Sequence, residues 1–149
     1  MQEQFSLKTY NSFGFDVKAR HFVEIQNVPD LEKLISSGIL ETEKHLILSG
    51  GNNVLFCDDY FDGTVVYMNI KGIDFLTDST DSIIVRAYAG EDWPDFVQFT
   101  VENNLHGLEN LAHIPGKVGA APVQNIGAYG AELKDCFLQC EAICLATGE

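Results

Sequence analysis

The segment LILSGGNNVLF, residues 46–56, places two glycines and two asparagines directly after a short apolar run. Glycine tolerates positive φ and lets backbone N–H groups approach an oxyanion such as phosphate with no Cβ in the way. The segment contains no cation, so main-chain amides would have to bind such a group. It is neither G-x-G-x-x-G nor a P-loop, because no Lys-Ser or Lys-Thr pair follows. By itself the segment is a weak signal, and a hairpin or strand-crossing turn is the commoner explanation of such residues.

The second informative segment runs from Leu108 to Gly130, LENLAHIPGKVGAAPVQNIGAYG. Its short side chains suit a wall laid against a broad flat ligand such as an isoalloxazine ring. Gln124 and Asn125 add hydrogen-bonding groups, and Tyr129 adds an aromatic face with a hydroxyl. Lys117 is its only cation. A long glycine-rich connection without a ligand is an alternative interpretation of the same composition.

Three of the four cysteines lie close together near the end of the sequence, at Cys136, Cys140 and Cys144. On a predicted strand they would share one face, with neighbours about 13 Å apart at ~3.3 Å per residue. One metal ion cannot reach all three, because a Zn–S bond is only about 2.3 Å long. We therefore predict that the cysteines, including Cys57, are small buried apolar residues, and keep a thiol-based metal protein as a weaker alternative.

The histidines are distant from one another in sequence and show no metal-ligand spacing, which predicts surface or structural roles. They are His21, His45, His106 and His113. The adjacent carboxylates Asp58-Asp59 and Glu91-Asp92 lie near predicted turns, where such pairs are usually solvated or cap helices.

The elements that would position these segments follow from hydrophobic periodicity. Alternation over residues 17–25 predicts a half-buried strand, and Pro29 followed by apolar residues at helical spacing predicts a helix that stops at Gly38. Asp92 is the expected N-cap of a second helix that ends at Asn104, with Trp93, Phe96, Val97, Thr100 and Val101 on its buried face. Further strands are predicted over residues 45–48 with a continuation at 54–56, 64–70, 83–89 and 136–144.

Composition restricts the class of protein. The 149 residues suit one ordinary domain, and nine Lys and Arg against 22 Asp and Glu give a formal charge of −13. Such a charge repels phosphodiester backbones and anionic lipids, so neither nucleic acid nor a membrane is an expected partner. The first residues lack a signal-peptide pattern, and no apolar window is long enough to span a bilayer. We expect a monomeric cytoplasmic protein.

The block IPGKVGAAPVQNIGAYG, preceded by GLENLA, SGGNNVLF and YNSFGFDVKARHFVEI, resembles the UDP-N-acetylenolpyruvoylglucosamine reductase family of flavoenzymes. The resemblance implies an α+β fold of the FAD-binding PCMH or vanillyl-alcohol-oxidase type, with two small α+β lobes at about residues 1–70 and 71–149. It implies FAD as cofactor, NADPH as hydride donor, and reduction of the enolpyruvyl ether of a UDP-sugar to UDP-N-acetylmuramate. That step belongs to peptidoglycan precursor synthesis, and hence to cell wall biogenesis, cell shape and division.

The resemblance also assigns site residues. By analogy, the loop Gly50, Gly51, Asn52 and Asn53 wraps the FAD diphosphate, and Tyr129 lies toward the substrate. The residues expected to line the flavin are Ile114, Pro115, Gly116, Gly119, Ala120, Ala121, Asn125 and Ile126. Relatives often carry hydroxyl residues at the positions of Ala120 and Ala121. The alanine side chains cannot make the hydrogen bonds that such hydroxyl groups would supply. The family's catalytic serine, arginine and glutamate come from segments after the GAYG block, so no catalytic residue is assigned here, and we expect the substrate-binding domain to be absent from this chain. A non-catalytic flavin or nucleotide-binding module is the alternative function.

Overall fold

The structure is a computed structural model that describes residues 1–78 and 83–148. The chain divides into two compact units, Met1–Asn69 with Cys140–Glu149 (unit 1) and Ile70–Gln139 (unit 2). Residues 140–148 thus group with unit 1, whereas the sequence prediction placed them in the second lobe. Residues 79–82 and 149, which also belong to that predicted lobe, lie outside the described residues.

Unit 1 is built on a four-stranded mixed sheet with the order β1-β2-β4-β3. β1 (Gln2–Ser6) pairs antiparallel with β2 (Lys18–Ile25), while β4 (Tyr60–Met68) runs parallel to β2 and to β3 (His45–Leu48). The helices α1 (Val28–Ser36) and α2 (Ile39–Thr42) connect β2 to β3, as parallel strands require a crossover. A short 3-10 turn covers Lys8–Tyr10.

The helix predicted from Pro29 is confirmed, and its ends have local causes. The Asn27 side chain accepts a hydrogen bond from the Asp30 N–H at 2.9 Å, which satisfies one of the first unpaired donors of α1. Gly38 adopts a left-handed conformation with φ 73° and stops the helix, as expected.

β2 departs from the strict alternation of the sequence prediction. A register shift between Ala19 and His21 inserts a bulge in the pairing with β4. Beyond it Phe22, and not His21, is fully buried in the core of unit 1, at 1% exposure. The bulge changes which face each later residue occupies, because the side-chain period of a strand is two. That core consists of Leu7, Val17, Ala19, Phe22, Leu48 and Val65.

Unit 2 pairs β5 (Ile73–Asp78) antiparallel with β6 (Ile83–Ala87), and β7 (Gly127–Ala128) with β8 (Ala131–Glu132). Its helix α3 (Trp93–Glu102) starts as predicted, with Pro94 in its first turn. Short 3-10 turns cover Glu109–Leu111, Val118–Ala120 and Leu133–Asp135. Its core consists of Trp93, Phe96, Val97, Leu111, Ala121, Ile126 and Leu133. Val101 is 49% exposed, so its predicted burial on α3 is wrong.

Two strand predictions are wrong. β3 ends at Leu48 without resuming at residues 54–56, and the described residues 136–148 contain no strand. Both segments combine apolar residues with few β-branched ones, so their local preference for extended structure is weak. Among the described residues, no helix has the length and apolar character needed to cross a bilayer.

Candidate functional site

The loop that follows β3 needs glycine at one of its two glycine positions. Gly51 has φ 67°, a left-handed conformation that Gly50 does not share. A Cβ built on Gly51 would lie 2.0 Å from the carbonyl oxygen of Tyr10. The glycine is therefore required by backbone packing inside unit 1, independently of any ligand. A substitution of Gly51 would disturb the fold together with any ligand site.

The same loop leaves adjacent backbone donors available. Two of its carbonyl oxygens accept hydrogen bonds from Ser12. The Gly51 carbonyl accepts from the Ser12 N–H at 3.2 Å, and the Asn52 carbonyl accepts from the Ser12 hydroxyl at 3.5 Å. Within the described part of the chain, the N–H groups of Gly50, Gly51 and Asn52 donate to no backbone carbonyl. Adjacent N–H groups of this kind bind anions. The neighbouring Ser49 hydroxyl is buried and has no partner among the described residues.

The segment Gly116–Ala121 in unit 2 has the opposite hydrogen-bonding state. The Val118 N–H donates to Glu91 at 2.9 Å, and the Gly119 N–H donates to Ala89 at 3.0 Å. The N–H groups of Ala120 and Ala121 donate back within the turn, to Lys117 and Val118. Since these donors already have acceptors, the segment can contact a ligand mainly through its shape and surface, and few of its N–H groups are available for hydrogen bonds to a ligand.

Close packing fixes this segment against the start of α3. The Gly116 carbonyl accepts from the Trp93 N–H at 2.9 Å. A Cβ on Gly119 would lie 2.6 Å from the Cβ of Ala89. The second glycine of the flavin-associated block is thus required by contact between two backbone segments of unit 2.

Lys117 is a structural lysine and is not available as a surface cation. Its side chain is only 8% exposed, and its Nζ donates to the Gly90 carbonyl at 3.0 Å and to Asp92 Oδ1 at 3.1 Å. Asp92 Oδ2 accepts from Lys71 at 3.1 Å. Although burial raises the pKa of Asp92, the hydrogen bonds from the two lysines hold it below its ordinary value. Asp92 stands at the N-cap position as predicted but makes no side-chain cap bond, because the lysines occupy its oxygens.

The other residues expected to line the flavin differ in exposure. Ala121 and Ile126 are 3% and 7% exposed and pack in the core of unit 2, so only their backbone is available to a cofactor. Ile114 is partly buried against the same core. Pro115 precedes Gly116, which has φ 136°. Asn125 adopts φ 41°, and its Oδ1 accepts from the Lys134 N–H at 3.2 Å.

Tyr129 lies at the tip of a two-residue hairpin. Ala128 pairs with Ala131, and the intervening Tyr129 and Gly130 have φ 53° and 82°, as a type I′ turn requires. The Tyr129 side chain is 86% exposed. A bulky residue at positive φ is unfavourable, so the turn presents this ring at a conformational cost. Its predicted role toward the substrate remains a prediction.

The predicted burial of the cysteines is wrong. Cys57, Cys136, Cys140 and Cys144 are all exposed free thiols. They lie in irregular segments, and apolar composition alone does not decide which side of such a segment faces solvent. Among the described residues, no group of three or more His, Cys, Asp or Glu is placed to hold a metal ion.

Two histidines have structural partners, as predicted. His21 Nδ1 lies 3.0 Å from Glu43 Oε2, which also accepts from the buried Thr64 hydroxyl at 3.1 Å. The hydrogen bond with His21 lowers the pKa of the Glu43 carboxyl. His106 lies 2.8 Å from Glu109. Sequence spacing did not predict the contact between His21 and Glu43, because the connection from β2 to β3 brings these two residues together.

Sequence reasoning missed Ser12, which donates to carbonyls of the loop at Gly51, and its buried neighbour Asn11. Asn11 is 7% exposed, and its Nδ2 donates to the Leu7 and Phe15 carbonyls at 2.8 and 2.9 Å. Both lie in the YNSFGF block that carried the family resemblance, which was the only sequence signal for them.

Comparison with known proteins identifies the chain. A family model described as an FAD binding domain matches residues 19–149. The chain belongs to this FAD-binding domain family. The UDP-N-acetylenolpyruvoylglucosamine reductase of Flavobacterium johnsoniae is 44% identical over 149 residues, which cover 100% of this chain and 43% of the relative. The Pseudomonas putida UDP-N-acetylenolpyruvoylglucosamine reductase is 45% identical over 148 residues, which cover 99% of this chain and 43% of that relative.

A solved structure agrees with the sequence relatives. The UDP-N-acetylenolpyruvylglucosamine reductase (MurB) from Thermus caldophilus aligns with a TM-score of 0.65 and 25% identity, over 88% of this chain and 44% of that chain. The family resemblance and the α+β, PCMH-type fold of this FAD-binding domain are thereby confirmed. The chain spans less than half the length of these relatives.

The loop after β3 fits a diphosphate. Three consecutive residues present N–H groups that donate to no backbone carbonyl of the described chain, and an unpartnered hydroxyl precedes them. The donors are neutral, which suits a protein with a formal charge of −13 that has few cations to place at a phosphate. The residues present at this loop are therefore compatible with the FAD diphosphate.

Proposed function

We propose that this chain is the FAD-binding part of a UDP-N-acetylenolpyruvoylglucosamine reductase. The observation that carries the proposal is the set of adjacent N–H groups at Gly50, Gly51 and Asn52, which donate to no backbone carbonyl of the described residues, in a chain of the FAD-binding domain family. The names of the relatives supply the activity of the whole protein, a reductase of the enolpyruvyl UDP-sugar.

In this proposal the two segments divide the binding of FAD. Gly50–Asn52 would donate hydrogen bonds to the diphosphate oxygens, and charge-assisted bonds to backbone N–H groups are stronger than neutral ones. Gly116–Ala121, held by Lys117 and Asp92, would supply a rigid surface for the isoalloxazine. Tyr129 would contact the substrate.

When bound, FAD would supply the hydride-transfer chemistry between NADPH and the enolpyruvyl double bond. The residues of this chain bind and orient the cofactor, and we assign no proton transfer to them. In this proposal, as the family resemblance implies, the groups that act on the substrate come from segments after the GAYG block. NADPH as donor and the cytoplasm as location belong to this proposal.

The amide positions provide a direct test in the intact protein that contains this chain. Addition of ADP, which carries the adenosine and diphosphate of FAD, should move the amide proton resonances of Gly51 and Asn52 downfield in a ¹⁵N-¹H correlation spectrum. Those of Gly119 and Ala120 should move less, because they already donate to carbonyls. Equal shifts, or none at Gly51 and Asn52, would contradict the assignment.

The activity has its own test. The purified intact protein should contain FAD, visible in its absorption spectrum, and should oxidise NADPH when the enolpyruvyl UDP-sugar is added. A protein that binds FAD but shows no such oxidation would be the non-catalytic flavin-binding module.

A further inference from the structure

Charged side chains of both signs meet beside the segment Gly116–Ala121 of unit 2. Lys117 Nζ donates to Asp92 Oδ1 at 3.1 Å. Lys71 Nζ donates to Asp92 Oδ2 at 3.1 Å and lies 3.5 Å from Glu91 Oε2. We call Lys71, Glu91, Asp92 and Lys117 the charge cluster. It joins two lysines to two carboxylates, so its formal charges balance.

Hydrogen bonds to the backbone fix the charge cluster in unit 2. The Gly72 N–H donates to Glu91 Oε1 at 2.6 Å, and Lys117 Nζ donates to the Gly90 carbonyl at 3.0 Å. The Val118 N–H donates to the Glu91 carbonyl at 2.9 Å. These bonds tie the start of unit 2, the turn before α3 and the segment expected to line the flavin to one another. The charges therefore have a fixed position relative to that segment.

Lys117 carries its charge in the protein interior. Its side chain is 8% exposed, whereas that of Asp92 is 49% exposed. Burial of an ammonium group costs free energy, and solvent screens its field less than that of a surface charge. Lys117 directly follows Gly116, which the family resemblance assigns to the flavin surface. A buried charge at this position, and the carboxylate that balances it, would act on a ring lying against the segment.

We propose that the charge cluster sets the reduction potential of the bound flavin, with Asp92 balancing the buried charge of Lys117. This inference rests on the proposed function, because it requires the isoalloxazine ring at Gly116–Ala121. A hydride from NADPH, which leaves as NADP⁺, gives the neutral ring one negative charge. An excess positive charge nearby therefore favours the reduced flavin, and an excess negative charge disfavours it.

The test measures the reduction potential of the flavin in the FAD-loaded intact protein by spectroelectrochemical titration at about pH 6, where lysine side chains stay protonated. Lys117→Gln keeps a hydrogen-bond donor but leaves the charge cluster with one excess negative charge. It should weaken the binding of reduced relative to oxidised FAD about tenfold, which lowers the potential by about 30 mV. Asp92→Asn leaves one excess positive charge and should raise the potential by less, because Asp92 is half exposed. The double variant restores the balance and should lie between the two.

Two further variants control the measurement. Lys33→Gln removes the same charge from a side chain of α1 that is 78% exposed, so solvent screening should leave the potential unchanged. Lys71→Gln changes a side chain that is 43% exposed, which folding tolerates more easily than a change at Lys117. It should lower the potential by less than Lys117→Gln does.

The direction of each shift separates an effect of charge from an effect of structure. If Lys117→Gln and Asp92→Asn move the potential in the same direction, or if neither moves it, the charge cluster does not set the potential, while the proposed function stands. If thermal unfolding shows that either variant is not folded, Lys71→Gln decides, and an unchanged potential there overturns the inference. If the unmodified intact protein binds no FAD, the proposed function fails and this inference fails with it.

Discussion

The loop Gly50–Asn53 of unit 1 and the segment Gly116–Ala121 of unit 2 both carry glycines that the sequence associates with one cofactor, yet they use them differently. In the first, glycine admits a neighbouring carbonyl, and the N–H groups of residues 50–52 have no backbone acceptor among the described residues. In the second, glycine admits a neighbouring Cβ, and the N–H groups of residues 118–121 are bonded to Glu91, to Ala89 and within the turn. Glycine enrichment therefore marks close backbone packing in both regions. Within the described part of the chain, three adjacent N–H groups without a backbone acceptor occur at Gly50–Asn52, whereas the N–H groups of residues 118–121 are all bonded.

The largest expected loss of stability is at Gly51. Gly51→Ala should destabilise the protein by about 3 kcal/mol or more, because the new Cβ would meet the Tyr10 carbonyl oxygen at 2.0 Å as well as bear the strain of positive φ. Gly14 is a matched control with the same φ of 67°, and a Cβ added there would have no atom within 4 Å. Gly14→Ala should cost only about 1 kcal/mol. If Gly51→Ala and Gly14→Ala lowered the free energy of urea unfolding equally, the positive φ, and not the Tyr10 contact, would determine the cost.

In unit 2 the largest expected effect is at Lys117. Lys117→Met removes the donor that bonds both the Gly90 carbonyl and Asp92, and should cost about 2 kcal/mol of unfolding free energy. Lys134→Met is the matched control, because Lys134 is 67% exposed and solvent screens its ion pair with Glu132, so its loss should change the unfolding free energy very little. A loss at Lys117 no larger than at Lys134 would contradict the structural role of the buried lysine.

The contact at Gly119 should give a somewhat smaller effect. Gly119→Ala crowds the Cβ of Ala89 at 2.6 Å without positive φ, so we expect a loss of about 1–2 kcal/mol. Ala89→Gly in the same chain removes one of the crowded atoms and should recover part of that loss. A double-mutant cycle measures the coupling, and strictly additive losses would show that the two residues do not meet.

The sequence predicted those features whose causes are local. α1 was recognised because Pro29 and Gly38 act through their own backbone angles, and the two glycine segments were located because their composition is itself the signal. The family resemblance supplied the fold class. These predictions needed no knowledge of which distant residues would meet.

The features that sequence reasoning missed depend on distant partners. The Tyr10 carbonyl beneath Gly51 and the Gly90 carbonyl at Lys117 lie 41 and 27 residues from the groups they meet, and the sequence contains no marker for either contact. The bulge in β2 moved Phe22 into the core for the same reason, since β4 sets the register. Lys117 is the only cation of the segment Leu108–Gly130, and tertiary packing makes it an internal support.

The smallest expected effect concerns pH and Glu109 in unit 2. Hydrogen bonds from its own N–H and from the Gly107 N–H, with His106 nearby, lower the pKa of the Glu109 carboxyl from 4.5 to about 2. A lowered pKa in the folded state means that Glu109 stabilises the fold above about pH 4.5 and loses this contribution as the pH falls toward 2. The difference in unfolding free energy between the unmodified protein and Glu109→Gln should therefore shrink over that interval. Carboxyl ¹³C resonances provide the direct check, and a Glu109 titration midpoint near 4.5 would show that the amides of residues 107–109 do not hold the carboxylate.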